Sequence, residues 1–261
     1  MLMIVYGFHL SHCEKLICEF EDVGYVQTYY SCIVKSMDNS NNKITITEHT
    51  GVHKANKNDN DVKGIYMNDV NPKYIPANLG SLFKLTSLEM QRSNLIEIKS
   101  KDFEGMQNLE NLILLKNGLT SVPMDAFVTL PNLRIIFLSY NEIEELPNGI
   151  FSNNPNLEHI HLYKNNIKFL GSGLFNGLMK LNKVDLRVNY CVSEQFEGTS
   201  EIMQLKNDIK MNCFNPNEVP APKTLNAKVN EFKTTLSNFF DNLFKKLLKA
   251  NNELKNQTMD Y

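Results

Sequence analysis

A pattern that recurs every 24 residues constrains this sequence more than any other feature. Four successive units begin at Leu85, Leu109, Leu133 and Leu157. Within each unit, apolar residues recur at offsets 0, 3, 5, 10, 13, 18 and 21, and Asn recurs at offset 8. Two residues depart from this template: Ser93 replaces the Asn and Asn154 replaces the last apolar residue. A match this dense at a fixed period predicts a stack of repeated coils.

The spacing inside the unit indicates which residues face the core. Offsets 3 and 5 lie two residues apart, so both side chains point to one side of a short strand. The Asn at offset 8 is expected to turn inward and bond backbone groups of neighbouring coils. These asparagines are Asn117, Asn141, Asn165 and Asn189. The residues at offset 18 are expected to stack as a buried aromatic column of Phe103, Phe127, Phe151 and Phe175.

The repeat pattern also predicts where the chain divides. About six units are predicted over residues 62–190. Because an open stack leaves an apolar face at each end, we expect residues 13–61 and 191–214 to form the two caps. Residues 215–222 contain several prolines and are predicted to be a linker. Residues 223–257 are predicted to form an amphipathic, coiled-coil-like helix.

Cysteine positions link the caps to a cellular compartment. Cys18 and Cys32 flank a Tyr-rich stretch, Cys191 occupies an apolar slot of the last coil, and Cys213 falls on a helical apolar stripe. Disulfides Cys18–Cys32 and Cys191–Cys213 are therefore predicted, with Cys13 removed with a signal, free or bound to a partner. Paired cysteines at both ends favour an oxidising compartment. The alternative is five reduced, buried thiols in the cytosol.

The first twelve residues bear on targeting. Residues 1–12 resemble the apolar part of a signal peptide, without its basic start or its small-residue cleavage site. The interpretation favoured here is a truncated or degenerate signal of a secreted protein, and the alternative is a buried N-terminal strand. No apolar run reaches the ~18–20 residues that span a bilayer. Asn256 begins a glycosylation sequon that would matter only on a secretory route.

The predicted C-terminal helix leaves three interpretations open. From Leu225 to Leu243 its apolar residues step alternately by four and three positions. This seam would pack back on the chain's own coils, or pair with another chain as a homo- or heterodimer. The third and least favoured interpretation is contact between its Lys-rich face and an anionic membrane.

The strand residues that do not face the core carry the functional hypothesis. Offsets 2, 4, 6 and 7 are expected to project from a concave sheet, with apolar residues at the centre and charged residues at the rim. This arrangement is typical of a protein-binding site. The alternatives are that the patch covers the chain's own C-terminal helix or has no role. The predicted partner-binding residues are Ile113, Leu115, Ile135, Phe137, Tyr140, His159, His161, Tyr163 and Arg187.

Charge and motifs exclude several other functions. Lys+Arg 27 against Asp+Glu 29 leaves no basic excess, so nucleic acid is not predicted as a partner. The sequence contains no nucleophile elbow, phosphate-binding Gly loop or HExxH motif, so neither an enzyme nor a cofactor is predicted. His159 and His161, near Asp185, would suit a zinc site or a pH-sensitive contact. Solvent-facing histidines without a specific role are the favoured interpretation, and no metal is predicted.

The residues L-x-x-L-x-L-x-x-N-x-L of each unit identify a leucine-rich repeat, and the unit resembles the typical 24-residue extracellular form. The N-terminal cap resembles that of secreted insect leucine-rich repeat proteins in the residues Cys18-x-Phe20, Tyr30-x-Cys32, Ile44-x-Ile46, Gly51-x-His53 and Asn60-Asp61-Val62. The resemblance implies an α/β-repeat solenoid, or horseshoe, with a disulfide-bonded N-terminal cap, a short helical C-terminal cap and a C-terminal helix. The order of parts is similar to mosquito haemolymph immune proteins that pair with each other.

Together these features predict a non-catalytic extracellular module that recognises a protein partner through its concave sheet. The resemblance implies a role in innate immunity. The alternative is a structural, matrix-associated protein that oligomerises through residues 223–257.

Overall fold

Each coil of the chain contributes one short strand to a parallel sheet. The computed structural model describes residues 13–36 and 45–213. The helices are α1 (Leu79–Leu82), α2 (Thr199–Asn212) and two 3-10 turns, Asp59–Asp61 and Ser100–Phe103. The strands are β1 (Cys13–Val23), β2 (Tyr29–Ser36), β3 (Thr45–Thr50), β4 (Gly64–Tyr66), β5 (Ser87–Glu89), β6 (Asn111–Ile113), β7 (Ile135–Phe137), β8 (Glu145–Leu146), β9 (His159–His161), β10 (Phe169–Leu170), β11 (Lys183–Asp185) and β12 (Gln195–Glu197).

Ten of these strands form one sheet in the order β12-β11-β9-β7-β6-β5-β4-β2-β1-β3, and β8 pairs separately with β10. From β4 to β11 the strands are parallel and keep one register, so that Leu88 pairs with Leu112, and Leu112 with Ile136. Residues at the same offset therefore form straight columns across the sheet. The predicted solenoid of stacked coils is confirmed.

The apolar columns at offsets 3 and 5 form the core. Every residue of both columns from β5 to β11 is fully buried, as the strand alternation predicts. The phenylalanines at offset 18 are also buried, and the rings of Phe127 and Phe151 stack with centroids 5.8 Å apart. The Phe103 and Phe127 rings lie 6.3 Å apart and are tilted. Stacking of coils thus buries what no single coil can bury alone.

The asparagines at offset 8 turn inward and connect the coils. Asn141 Nδ2 donates to the Leu114 carbonyl of the preceding coil at 3.0 Å, and Asn141 Oδ1 accepts from the Leu119 amide at 3.2 Å. Asn117, Asn165 and Asn189 make equivalent pairs of bonds. Ser93, the exception in the ladder, bonds the carbonyl of Met67 in the preceding coil. Buried backbone groups at each turn are therefore satisfied along the stack.

The N-terminal cap continues the sheet of the coils. Strands β1 and β2 form an antiparallel hairpin, and β2 pairs in parallel with β4, where Cys32 lies opposite Ile65. A disulfide joins Cys18 to Cys32 across this hairpin. The hairpin therefore covers the open end of the stack and fixes its own position on the sheet.

The C-terminal cap consists of β12, antiparallel to β11, and the helix α2. Ile202, Leu205 and Ile209 of α2 are buried, as the helical stripe predicts. A disulfide joins Cys191 to Cys213 at the end of this helix. The exposed apolar end of the last coil is thereby covered.

The chain divides into two compact units, Met1–Asn215 and Pro216–Tyr261, and the described residues all belong to the first. The predicted signal remnant (1–12), linker (215–222) and C-terminal helix (223–257) lie outside the described residues, as does Asn256. Within residues 13–36 and 45–213, the helices are too short and too polar to cross a bilayer.

Candidate binding surface on the sheet face

The side of the parallel sheet that points away from the core is called here the sheet face, and it corresponds to the concave surface predicted from sequence. Its residues occupy offsets 2, 4, 6 and 7 of each coil. Because the register does not slip, the offset-4 residues form one column from coil to coil. This column contains Tyr66, Glu89, Ile113, Phe137, His161 and Asp185.

The tip of the N-terminal hairpin, residues 24–28, reaches over this face. The Tyr25 ring meets the Phe137 ring edge-on, with centroids 5.2 Å apart. Tyr29 Oη accepts a hydrogen bond from Asn111 Nδ2 at 3.1 Å. A Cβ atom at Gly24 would lie 1.8 Å from the Gln27 carbonyl oxygen, so the tight turn requires glycine there. Tyr25 of the tip and Tyr29 at the start of β2 thus contact two different coils.

Two predicted partner-binding residues are more buried than the sequence predicts. Ile113 is 1% exposed, so its expected accessibility is wrong. Leu115 is 9% exposed, but it still lines a cavity with Phe137. Ile113 lies between Glu89 and Phe137 in the strand register. Tyr25 lines a cavity at Glu89 and another at Leu115 and Phe137. Residues 23–29 of the hairpin therefore lie against the sheet face of β4, β5 and β6, called here the covered half.

The sheet face of β7, β9 and β11, called here the open half, holds the remaining predicted residues. The Phe137 and His161 rings stack with centroids 4.1 Å apart, and the Tyr140 and Tyr163 rings meet edge-on at 5.2 Å. Ile135 and His159 are partly buried beside them. A cavity of about 430 Å³ lies over this half, lined by these aromatic residues and by charged residues.

Cations surround the aromatic residues of the open half. Lys116 Nζ lies 5.3 Å and Lys164 Nζ 5.1 Å from the centre of the Tyr140 ring. The Arg187 guanidinium lies 5.5 Å from the Tyr163 ring and forms two hydrogen bonds with the Asp185 carboxylate, at 2.9 and 2.7 Å. Tyr140 and Tyr163 therefore each contact at least one cation, and neither side chain is fully buried.

Burial and hydrogen bonding shift the pKa values of His161 and Asp185 in the open half. Burial lowers the pKa of His161 to about 4, so its ring is neutral where it stacks on Phe137. Burial acts to raise the pKa of Asp185, but its bonds to Arg187 prevail and the pKa is lowered. The rings of His159 and His161 lie 6.2 Å apart. Among the described residues, no group of three His, Cys, Asp or Glu side chains has the geometry of a metal site.

Sequence reasoning missed the residues of the covered half that come from the cap and the first coil. Extending the repeat one unit upstream from Val62 assigns Tyr66 and Asn68 to offsets 4 and 6, so the repeat contains their signal. Tyr25 and Tyr29 belong to the Tyr-rich stretch between the first two cysteines. Nothing in that stretch indicates that it meets a residue of the third full unit.

A sequence profile described as "BspA type Leucine rich repeat region" matches residues 73–203 in six copies, half of the chain. The chain belongs to the leucine-rich repeat family. The match establishes the repeat family, whereas the typical extracellular class named from the sequence stays a prediction. No curated protein matches this leucine-rich repeat chain.

Solved structures of leucine-rich repeat proteins are similar to parts of this chain. One is a chain of the Drosophila Toll–Spatzle complex, with 27% identity, a TM-score of 0.47, and coverage of 49% of this chain and 18% of that chain. A leucine-rich repeat protein of Leptospira interrogans has 21% identity, a TM-score of 0.46 and coverage of 56% and 35%. A chain of the Latrophilin 3, Unc5D and FLRT2 complex has 25% identity, a TM-score of 0.44 and coverage of 49% and 39%. This leucine-rich repeat chain spans less than half the length of each.

Proposed function

We propose that this protein is a non-catalytic binding module that holds a protein partner on the open half of its concave sheet. One observation carries the proposal: a cavity of about 430 Å³ exposes a cluster of aromatic side chains rimmed by charged groups. Apolar centres with charged rims are typical of protein interfaces. The proposed contact residues are Ile135, Phe137, Tyr140, His159, His161, Tyr163 and Arg187.

The residue types of the open half support a protein partner. Tyrosine and arginine are the residues that most often contribute large binding energies in protein interfaces. Tyr140 is 37% exposed although three side chains hold its ring. Because these aromatic side chains are already ordered, they lose little further conformational entropy when a partner binds them. Leu115 lines the same cavity from the neighbouring coil, and the buried Ile113 supports this surface from the covered half.

The test compares partner capture by two double variants of the immobilised chain. Phe137→Glu with Tyr163→Glu places two charges in the open half, and retention of the specific partner is expected to fall by at least about tenfold. Met179→Glu with Tyr190→Glu is the control, because both side chains are more than two-thirds exposed and outside the cavity. Thermal unfolding verifies that both variants fold. Equal retention by wild type and the Phe137/Tyr163 variant would refute the proposed surface.

The proposal includes secretion, as in the secreted insect proteins that the N-terminal cap resembles. Disulfides at both ends of the stack support an oxidising compartment. Non-reducing mass spectrometry of protein collected from the medium of expressing cells tests this directly. We expect both disulfides and a glycan on Asn256. The same spectra report whether Cys13 is removed, free or bound to a partner. Retention of the protein inside the cell with reduced thiols would contradict it.

The partner is proposed to belong to the innate immune system, because the order of parts in this chain is similar to that of mosquito haemolymph immune proteins. Depletion of the protein is expected to slow clearance of injected bacteria, and unchanged clearance would contradict this role. A second candidate function is oligomerisation in a matrix through residues 223–257, favoured by the alternating four-and-three spacing of their apolar residues. Sedimentation of the chain with and without that segment tests this function. The chain without the segment is expected to sediment as a monomer, and an unchanged number of chains per particle would contradict it.

A further inference from the structure

Some lysines and arginines of the sheet face are paired with an acid of the same chain. In each of these pairs, a nitrogen of the cation lies within 3.3 Å of a carboxylate oxygen. The pairs are Arg92 with Asp69, Lys183 with Glu197 and Arg187 with Asp185. The charges of these three cations are therefore offset within the chain.

Lys116 and Lys164 differ from these paired cations. Both side chains are exposed, and neither ammonium group lies near a carboxylate among the described residues. Instead they lie 5.3 and 5.1 Å from the centre of the same ring, that of Tyr140. A ring face attracts a cation, but a lysine ammonium has three donors and keeps others free at an exposed position. Both ammonium groups are therefore available to an anion.

The backbone fixes where these two lysines stand on the sheet face. Lys116, Tyr140 and Lys164 occupy offset 7 of successive coils and share a left-handed backbone, with φ values of 57°, 58° and 55°. The Lys116 amide donates to the Ser139 carbonyl at 3.0 Å, and the Lys164 amide donates to the Arg187 carbonyl at 2.9 Å. The lysines thus begin on the coils before and after Tyr140, at one edge of the open half.

The positive charge of the open half is a local surplus. The whole chain has Lys+Arg 27 against Asp+Glu 29, yet the cavity of the open half is lined by Lys116, Lys183 and Arg187 and by a single acid, Asp185. The chain outside the described residues does not complement this surplus in net charge. Residues 1–12 contain no acid, and residues 214–261 contain more lysines than acids. A surface of this kind selects a partner of opposite charge.

We propose that the open half binds an acidic segment of the protein partner, an inference that rests on the proposed function. Carboxylates of that segment contact the ammonium groups of Lys116 and Lys164. An aromatic or apolar side chain beside them enters the cavity against Phe137 and Tyr163. The aromatic walls favour a peptide over a sulfated polysaccharide, because a polysaccharide has no such side chain to place there.

A short peptide tests the surface without the partner. The end-blocked peptide Gly-Asp-Glu-Tyr-Asp-Glu-Gly is titrated into the full chain and followed by amide chemical shifts, and Gly-Asn-Gln-Tyr-Asn-Gln-Gly is the neutral control. We expect only the acidic peptide to shift the amides of Lys116, Tyr140 and Lys164, and its binding to weaken as the salt concentration rises. Shifts of equal size with the neutral peptide, or no shifts with either, would overturn the proposal.

A sulfated oligosaccharide tests the other class of anion. Heparin hexasaccharide is titrated into the full chain, and the signals of the aromatic rings are followed. We expect the acidic peptide to shift the ring signals of Phe137 and Tyr163 and the oligosaccharide to leave them unchanged. Equal ring shifts with both would show that the surface selects charge alone, and this result would overturn the proposal, as would the absence of ring shifts with the peptide.

Two matched variants assign the binding to the lysine pair. Lys116→Gln with Lys164→Gln removes both charges, so binding of the acidic peptide is expected to weaken by at least about tenfold. Lys73→Gln with Lys101→Gln removes the same charge from two exposed residues outside the cavity and is expected to change nothing. Equal binding by wild type and the Lys116/Lys164 variant overturns the assignment, and thermal unfolding verifies that both variants fold.

A comparison of partner binding separates this proposal from the proposed function. The partner is bound to wild type, the Lys116/Lys164 variant and the Phe137/Tyr163 variant, and a loss of about tenfold with the lysine variant supports an acidic segment. If only the Phe137/Tyr163 variant loses the partner, the proposed function stands and the acidic segment is overturned. If the peptide binds but no partner depends on Phe137 and Tyr163, the proposed function fails. The assignment of the acidic segment to a partner then fails with it.

Discussion

The covered and open halves of the sheet face are built from one repeat in one register, and they differ in what a partner can reach. Offset 4 holds Ile113 in the covered half and Phe137 in the open half, on strands that pair directly. Ile113 is buried, whereas the neighbouring coil presents an aromatic cluster to a cavity. The repeat determines the direction of each side chain. A distant segment, the hairpin tip, determines whether that side chain is accessible.

The two halves also treat a buried acid differently. Glu89 and Asp185 both occupy offset 4 and are 3% and 5% exposed. Asp185 is bonded by Arg187 on its own coil, and its pKa is lowered, whereas burial raises the pKa of Glu89. Asp185 is therefore paired within its own coil. Glu89 accepts hydrogen bonds from Asn68 and Gln91 through Oε1, and its Oε2 has no donor among the described residues.

The largest expected effect distinguishes the halves by stability. Ile113→Ala removes a buried side chain and is expected to lower the free energy of unfolding by about 3.5 kcal/mol. Ile135→Ala, on the adjacent strand of the open half, removes a partly buried side chain and is expected to cost about 1 kcal/mol. Urea unfolding of both variants measures the difference. Equal losses would show that the hairpin does not distinguish the two halves.

The next effect concerns the disulfide that holds the hairpin together. Cys18→Ser with Cys32→Ser is expected to cost about 3 kcal/mol, because the bond closes a short loop. Hydrogen exchange is expected to speed up at residues 111–115 and to stay unchanged at 183–187. Cys191→Ser with Cys213→Ser is the matched control. In this variant, hydrogen exchange should speed up at residues 183–187 and stay unchanged at 111–115. Uniform acceleration in both variants would contradict the comparison.

A smaller effect is expected at the tip itself. Tyr25→Ala removes the edge-on contact with Phe137 and is expected to cost about 1 kcal/mol. Because Tyr25 separates the two cavities, exchange of the Ile113 amide should also speed up. Tyr190→Ala, at an exposed tyrosine outside the sheet face, should leave both quantities unchanged. Slow exchange at Ile113 in the Tyr25 variant would show that another contact covers it.

The smallest effect is a pH dependence of the open half. Burial lowers the pKa of His161 from 6.5 to about 4, so between these values the unfolded chain binds more protons than the folded chain. Stability should therefore fall as the pH drops from about 6.5 to about 4, by no more than about 1 kcal/mol because the ring is only partly buried. His161→Gln should reduce this slope and His159→Gln is the control, both measured by thermal unfolding across the window.

Most of the fold could be predicted because its information is local and periodic. Leu112 and Leu114 are buried by strand alternation, and Asn141 bonds the coil beside it. The sequence of one unit therefore predicts which of its side chains face the core and which bond the next coil. The pairing of Cys191 with Cys213 followed from a helical stripe in the same way. The covered half could not be predicted, because the contact of Tyr25 with Phe137 joins residues far apart in sequence. Neither residue has a local neighbour that signals the other.

β2 pairs with β4 and β4 pairs with β5, so the hairpin has a fixed position relative to each coil of the stack. Each coil advances the sheet by one strand spacing, about 4.8 Å. Duplication of the coil that contains β6 would move Phe137 away from Tyr25 by that distance and leave every interior column intact. Such a chain would fold normally and still present a different surface. Changes in repeat number would therefore alter the surface that this protein presents before they alter its stability.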